Sequence, residues 1–400
     1  MEAIRPARAA RSTGSAGALR PGGAAALSRP VVTELRLSAY TSHRGAAFPL
    51  GPVTLFTGAS GSGKSTALAA YESLARLGAG ATLGEVFPDP VACVPERAAA
   101  DAQGRRGFRI GCTVDGPAGP VRLDLAVQAE PELRVVGERL TGGGRTLLAT
   151  ALRDPGRPAV QAAWHTAGAV PVTRAPLPDD RLGTALLPLR VAGRTEGQLQ
   201  VLAAAEQTVL ALRSVVACDP QPQLMRAPVP RGQGRLRRGC GNLAAVLDRV
   251  LEHRQDPCVE RLAAAARAGC AGPVTELAVE RLADGTVRAL LARDASGARP
   301  ATPVDRLGEG ELRYLALALV LLAGPGGPAA DRAGGPDPAW RSLTVLADGF
   351  DRSLDRRQTG ALLSLAAAVC AEGGTRLMGA VSDAAPARGA AGVTVVDLDP

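Results

Sequence analysis

Hydrophobic positions along the chain sort into short strands and amphipathic helices. Val32, Leu35 and Leu37 give Val31–Tyr40 the alternation of a strand. Val53–Thr57 is a compact apolar run, the pattern of a strand covered on both faces. After it, Ala67, Leu68, Tyr71, Leu74 and Ala75 recur at helical spacing. From about residue 85 to 300 the elements shorten, and Pro, Gly and Arg interrupt them. Phe108–Val114 and Val121–Val127 read as strands of a meander. Gln198–Arg213 reads as a helix, followed by a strand over Ser214–Cys218. Leu243, Val246, Leu247, Val250 and Leu251 form the stripe of another helix, with Asn242 placed to cap it. Pro257 opens a further helix to about Arg267, and Thr275–Leu282 and Val287–Arg293 flank Ala-Asp-Gly-Thr, a hairpin signal. Beyond residue 300 come an apolar helix around Tyr314–Ala323, a strand over Ser342–Ala347, a helix over Arg356–Glu372, and strands over Arg376–Val381 and Val393–Leu398.

This mixture of elements predicts an α/β fold. No heptad persists for three or four repeats, which excludes a long coiled-coil arm. The run Tyr314–Ala323 is too short to span a bilayer, and no signal-peptide core opens the chain. Residues 1–29 carry Arg, Ala, Gly, Ser and Pro with little periodicity and read as a disordered extension.

Composition narrows the chemistry. Seven cysteines are scattered without a C-x-x-C pair, and only three histidines are present, which argues against a zinc site or a disulfide scaffold. Free thiols in a reducing cytoplasm are the simple reading. The net charge of +8 permits an anionic partner without requiring one. The densest basic patch, Arg231–Arg238, has two readings: phosphate contacts to a nucleic acid, or a solvated loop in an arginine-rich chain. No aromatic residue is interleaved there to stack on bases.

The chemistry gathers at residues 58–66, Gly-Ala-Ser-Gly-Ser-Gly-Lys-Ser-Thr, which match G-x-x-x-x-G-K-[ST] between an apolar strand and an apolar-periodic helix. Gly58, Gly61 and Gly63 let the backbone curl so that successive N–H groups, including those of Ser60, Ser62 and Thr66, turn toward phosphate oxygens. Lys64 reaches the β/γ-phosphates and the Ser65 hydroxyl ligates Mg²⁺. Of the 46 basic residues, Lys64 is the only lysine, placed at the one position where a compact ammonium is wanted.

Two strands running into this loop resemble the opening of ABC-type ATPases of the RecF and SMC kind. Arg306-Leu-Gly-Glu-Gly-Glu-Leu-Arg, running into an apolar helix, looks like their signature motif, with Gly310 at its key glycine and Gly308 where serine is usual. Ser342–Ala347 ending in Asp348 looks like the Walker B strand, and Ser353-Leu354-Asp355 resembles the D-loop. The resemblance covers about 30–84 and 300–400. It implies an ABC-type P-loop NTPase head interrupted by a mixed α+β lobe over 85–299, using ATP and Mg²⁺, with Asp348 on the metal. It implies a homodimer formed head to tail through the ATP sites, each signature turn facing the other subunit's γ-phosphate, and a slow ATPase acting on DNA or a partner protein in repair or defence. Tyr40 stands where an aromatic of that class lies near adenine, although a core tyrosine at a strand end is the plainer reading.

The chain departs from the family at the hydrolytic residues. The catalytic Glu that follows the Walker B Asp is Gly349 here, and the switch His is replaced by Ser382. Asp351 is the nearest other carboxylate, so Asp351 and Ser382 are the candidates for handling water, with helix capping the plainer role for Asp351. Loss of a general base costs roughly 10²–10⁴ in rate. A non-hydrolysing ATP-binding switch or scaffold is therefore the alternative.

Overall fold

The computed structural model describes residues 29–167, 171–232, 234–294, 300–324 and 342–398. The expected N-terminal extension, apart from Arg29, and the loop 325–341 lie outside them. The strands are β1 Val31–Tyr40, β2 His43–Pro49, β3 Val53–Thr57, β4 Arg106–Asp115, β5 Val121–Glu130, β6 Arg134–Gly142, β7 Arg145–Ala151, β8 Ala159–His165 and β9 Val172–Pro178. They continue as β10 Val215–Ala217, β11 Val229–Pro230, β12 Glu276–Arg281, β13 Thr286–Ala292, β14 Thr302–Pro303, β15 Leu343–Ala347, β16 Thr375–Ala380 and β17 Val393–Asp397. The helices are α1 Lys64–Gly78, α2 Leu83–Val86, α3 Gly183–Leu186, α4 Glu196–Arg213, α5 Pro222–Met225, α6 Leu243–Glu252, α7 Pro257–Gly269, α8 Glu309–Ala323 and α9 Arg356–Ala371.

A parallel sheet, in the order β10-β15-β16-β3-β17, forms the middle layer. Its strands are short and apolar because both faces are covered. On β3, Phe56 joins the core under α1 and α4, while Val53 and Leu55 join the core under α8 and α9. Met378 and Ala380 of β16 face the first core and Leu377 the second, so one period-two pattern supplies both. The chain therefore has the expected α/β class, with the P-loop motif following the inner strand β3 of a parallel sheet.

The first core lies between this sheet and an eight-stranded antiparallel sheet, order β2-β1-β4-β5-β6-β7-β8-β9. Strands β6 to β9 escape the sequence pattern. The edge strand β9 carries Pro176 and Pro178 and buries only Leu177, which suits a strand needing hydrogen bonds on one side. The sequence sets a lobe apart over 85–299. The structure distributes that stretch: β4–β9 continue the sheet begun by β1 and β2, and β10 pairs with β15 in the P-loop sheet.

The second core explains α8. This helix is apolar on all sides because α7 and α9 pack around it. Gly269 of α7 allows the approach, since a Cβ there would lie 2.1 Å from the Tyr314 ring. Asn242 does not cap α6 with its side chain. Its Oδ1 accepts the Arg237 N–H at 2.9 Å instead, pinning the preceding loop. No helix among the described residues is long and apolar enough to cross a membrane.

Candidate nucleotide-binding site

The P-loop lies at the carboxyl end of β3, where a parallel sheet places ligand crevices. Helix α1 begins at Lys64 behind Gly63, which has φ +100° and gives no side-chain cap; the first turn holds no acidic residue. The leading N–H groups of α1 are thus left for an outside acceptor, and the helix dipole favours an anion there.

A cleft of about 760 Å³ opens over this turn, and residues 58 through 66 line it with the single exception of Ser62. From other elements come Thr41, Ser42, Asp348, Gly349, Arg352 and Ser382. Its size suits a nucleotide-scale ligand. The Lys64 ammonium donates to the carbonyls of Gly58 at 2.6 Å and Ala59 at 2.9 Å, held within the loop. The Ser65 hydroxyl donates to Asp348 Oδ1 at 3.0 Å. Strand β15 ends at Ala347, one strand beyond β16 from β3, and this carries Asp348 to the start of α1.

The residues present fit a magnesium nucleotide. Thr41 lines the cleft and its Oγ1 is buried without a hydrogen-bond partner, and the α1 N-terminus lacks a protein cap. Ser65 and Asp348 supply a hydroxyl and a carboxylate, the oxygen donors Mg²⁺ prefers. A metal held there would neutralise phosphate charge.

Some anticipated residues lie elsewhere. Tyr40 is turned into the core, 4% exposed, with its ring edge-on to Phe108 at a centroid distance of 5.2 Å. Burial pushes its phenol well above the ordinary range. The chain reverses at Thr41 and Ser42, so these, not Tyr40, meet the cleft. Ser62 is half-buried, and its enclosed hydroxyl oxygen has no hydrogen-bond partner. Asp351 does not line the cleft. Its Oδ2 accepts the N–H groups of Ser382 at 2.8 Å and Asp383 at 3.0 Å, which fixes the turn after β16. Nor does it cap α9; Asp355 does, accepting from Gln358 N at 2.7 Å.

Gly308 and Gly310 also lie outside the cleft, at the N-terminus of α8. Gly310 has a reason within its own subunit: a Cβ there would lie 2.4 Å from the Ser353 carbonyl oxygen. The Gly308 N–H is taken by Glu311 Oε2 at 2.9 Å, and Glu311 Oε1 accepts from Ala271 N at 2.8 Å.

Three contacts had no sequence signal. His43 packs under the P-loop, its Nε2 3.1 Å from the Gly63 carbonyl oxygen. Arg313 of α8 is 3% exposed and donates to the Gly349 carbonyl at 2.9 Å and to that of Pro220. Arg352 lines the cleft beside Gly349. Histidine on a β-strand and two arginines among many give no pattern to read; the tertiary fold alone assembles them.

The basic patch is partly neutralised. Arg231 pairs with Asp248 at 2.8 Å and with Glu252, and Arg238 with Glu72 at 2.7 Å. Arg235 and Arg237 have no ion-pair partner among the described residues.

No protein-family model matches the chain, and no curated protein matches it. Solved structures of similar outline include an SmcHead bound to the C-winged helix domain of ScpA, at 12% identity, covering 88% of this chain and 90% of that one, with a TM-score of 0.48. The SMC head domain from Thermotoga maritima is 14% identical over 92% of this chain and 94% of its own, with a TM-score of 0.45. The Smc head domain with an extended coiled coil, bound to the C-terminal domain of ScpA derived from Pyrococcus furiosus, is 12% identical over 88% and 90%, with a TM-score of 0.42.

Proposed function

We propose that the chain binds Mg–ATP in the cleft at Lys64 and acts as an ATP-dependent head that pairs with a second copy of itself. The observation that carries this reading is the 3.0 Å contact between Ser65 and Asp348 at the foot of an uncapped α1. It brings a phosphate cradle and a carboxylate suited to a metal together at the carboxyl ends of β3 and β15. The exposed position of Gly308 at the head of α8, outside the cleft, supports pairing: a head-to-tail partner would present its own signature turn to this nucleotide.

Hydrolysis in this reading is slow or absent. Asp348 is the only carboxylate lining the cleft among the described residues, and in this reading it is taken up by the metal. Asp351 lies outside the cleft lining, its Oδ2 accepting two backbone N–H groups and its Oδ1 buried without a partner. Ser382 lines the cleft, but a neutral hydroxyl is a weak base. The chain thus leans toward a switch, with DNA repair or defence the setting its resemblance implies. Carboxylates on Arg231 and Arg238 count against that patch as the main nucleic-acid contact.

The test measures nucleotide binding, hydrolysis and light-scattering mass on wild type and Lys64→Ala. Expected are Mg–ATP binding and ATP-dependent dimers in wild type alone, with little ADP formed. Absence of binding in wild type would sink the proposal; rapid turnover lost in Lys64→Ala would sink its non-hydrolytic half.

A further inference from the structure

Gly349 occupies the position where the resemblance places a carboxylate, yet the space in front of it is filled. A Cβ built on Gly349 would lie 2.8 Å from Arg352 Nε, 2.9 Å from Nη2 and 3.0 Å from Cζ. The guanidinium of Arg352 therefore stands where a side chain of residue 349 would project. A tight turn puts it there: the Arg352 N–H donates to the Gly349 carbonyl at 3.0 Å, and Gly349 takes φ +62°. Both residues line the cleft with Lys64 and Asp348.

The charge on Arg352 is only loosely matched. Among the described residues its ion partner is Asp219 at 3.8 Å, and its side chain is 56% exposed. The same Asp219 oxygen lies 3.5 Å from Nη1 of the buried Arg313. One carboxylate so shared leaves the Arg352 fork available to a second anion. Its location relative to the loop says which anion. In a P-loop the backbone N–H groups serve the inner phosphates, and Ser65 with Asp348 would hold a metal serving the outer ones. Arg352 lines the same cleft as Lys64, Ser65 and Asp348, with its guanidinium beside Gly349, the residue after Asp348.

We propose that Arg352 is a terminal-phosphate ligand supplied by the chain to its own nucleotide, and that it makes the site select nucleoside triphosphate over diphosphate. This rests on the nucleotide reading of the cleft. A guanidinium offers a planar fork of donors matched to phosphate oxygens. It accepts no proton, so it cannot replace the base it displaces. The exchange of a carboxylate for a guanidinium turns the outer end of the site from water activation to phosphate retention.

The experiment titrates the full chain with fluorescent Mg–ADP and a Mg-bound, non-hydrolysable β,γ-imido ATP analogue. Wild type is compared with Arg352→Ala, Arg352→Gln and Arg352→Lys. Loss of Arg352 is expected to weaken the triphosphate about tenfold or more and the diphosphate less than about twofold, with Arg352→Lys between. Equal losses, or none, with wild type binding both ligands would overturn the role of Arg352 and leave the nucleotide site standing. Wild type binding neither ligand would overturn both. The half-exposed side chain makes misfolding of Arg352→Ala easy to check by thermal unfolding, and Arg352→Gln carries the same comparison if it occurs.

Discussion

The Ser65 hydroxyl donates a 3.0 Å hydrogen bond to Asp348 Oδ1, joining residues 283 positions apart. Neither residue alone distinguishes a metal site from a polar surface. Their approach inside the P-loop cleft brings together a hydroxyl and a carboxylate, the oxygen donors that Mg²⁺ prefers. Ser65→Ala and Asp348→Asn are each expected to weaken Mg–ATP binding by about tenfold while leaving metal-free ATP binding nearly unchanged. Titrations with and without EDTA check this, and an equal loss in both conditions would refute the metal assignment.

Gly63 has φ +100°, and a Cβ there would lie 2.6 Å from His43 Nε2 and 2.7 Å from Ser42 Oγ. Gly63→Ala should destabilise the fold by about 1–3 kcal/mol through strain. It should also abolish nucleotide binding, because the loop must shift away from the Thr41–Ser42 turn. Urea unfolding and binding on the same sample separate the two effects.

Gly349→Glu restores the missing carboxylate on paper, but φ is +62° and the Arg352 guanidinium is in the way. The single variant is expected to gain no ATP turnover and to lose about 1–3 kcal/mol of stability. Gly349→Glu with Arg352→Ala is the combination expected to raise turnover. Phosphate release under steady-state conditions is the readout, and a gain in the single variant would contradict the packing argument.

Arg313 holds α8 to the turn after β15 through the Gly349 carbonyl, 2.9 Å away. Arg313→Leu leaves that carbonyl and the one on Pro220 without their donor. Each unsatisfied group costs about 1–3 kcal/mol, so chemical denaturation should show a large loss. A loss under about 1 kcal/mol would mean that water replaces the guanidinium.

Burial pushes the Cys112 thiol up to about 12 from an ordinary value of 9.0, and Cys270 also to about 12. A folded value above the unfolded one favours the fold fully below the unfolded value and progressively less above it. Stability is thus expected to hold to about pH 9 and fall toward pH 12. Cys112→Val should flatten part of that decline in unfolding curves taken across this range.

Much of the candidate site was legible because it depends on local chemistry. The P-loop needs particular residues at fixed spacing between a strand and a helix, and β3 and α1 fall where Val53–Thr57 and the apolar stripe after Lys64 put them. Asp348 was legible for the same reason, as the polar end of a buried strand. For Tyr40 the sequence left two readings, and packing against Phe108 bears out the plainer one, a core tyrosine at a strand end.

The sequence by itself determined the α/β class, the phosphate-loop motif, the residue types of Ser65 and Asp348, and the absence of a glutamate after Asp348. Those are properties of neighbouring residues. The tertiary structure decided that β4–β9 extend the sheet of β1 and β2, that Asp351 serves the turn after β16, and that the space at Gly349 belongs to Arg352. Strand pairing and side-chain approach are long-range: their energies arise between segments far apart in the chain, where residue spacing carries no record of which partner is met.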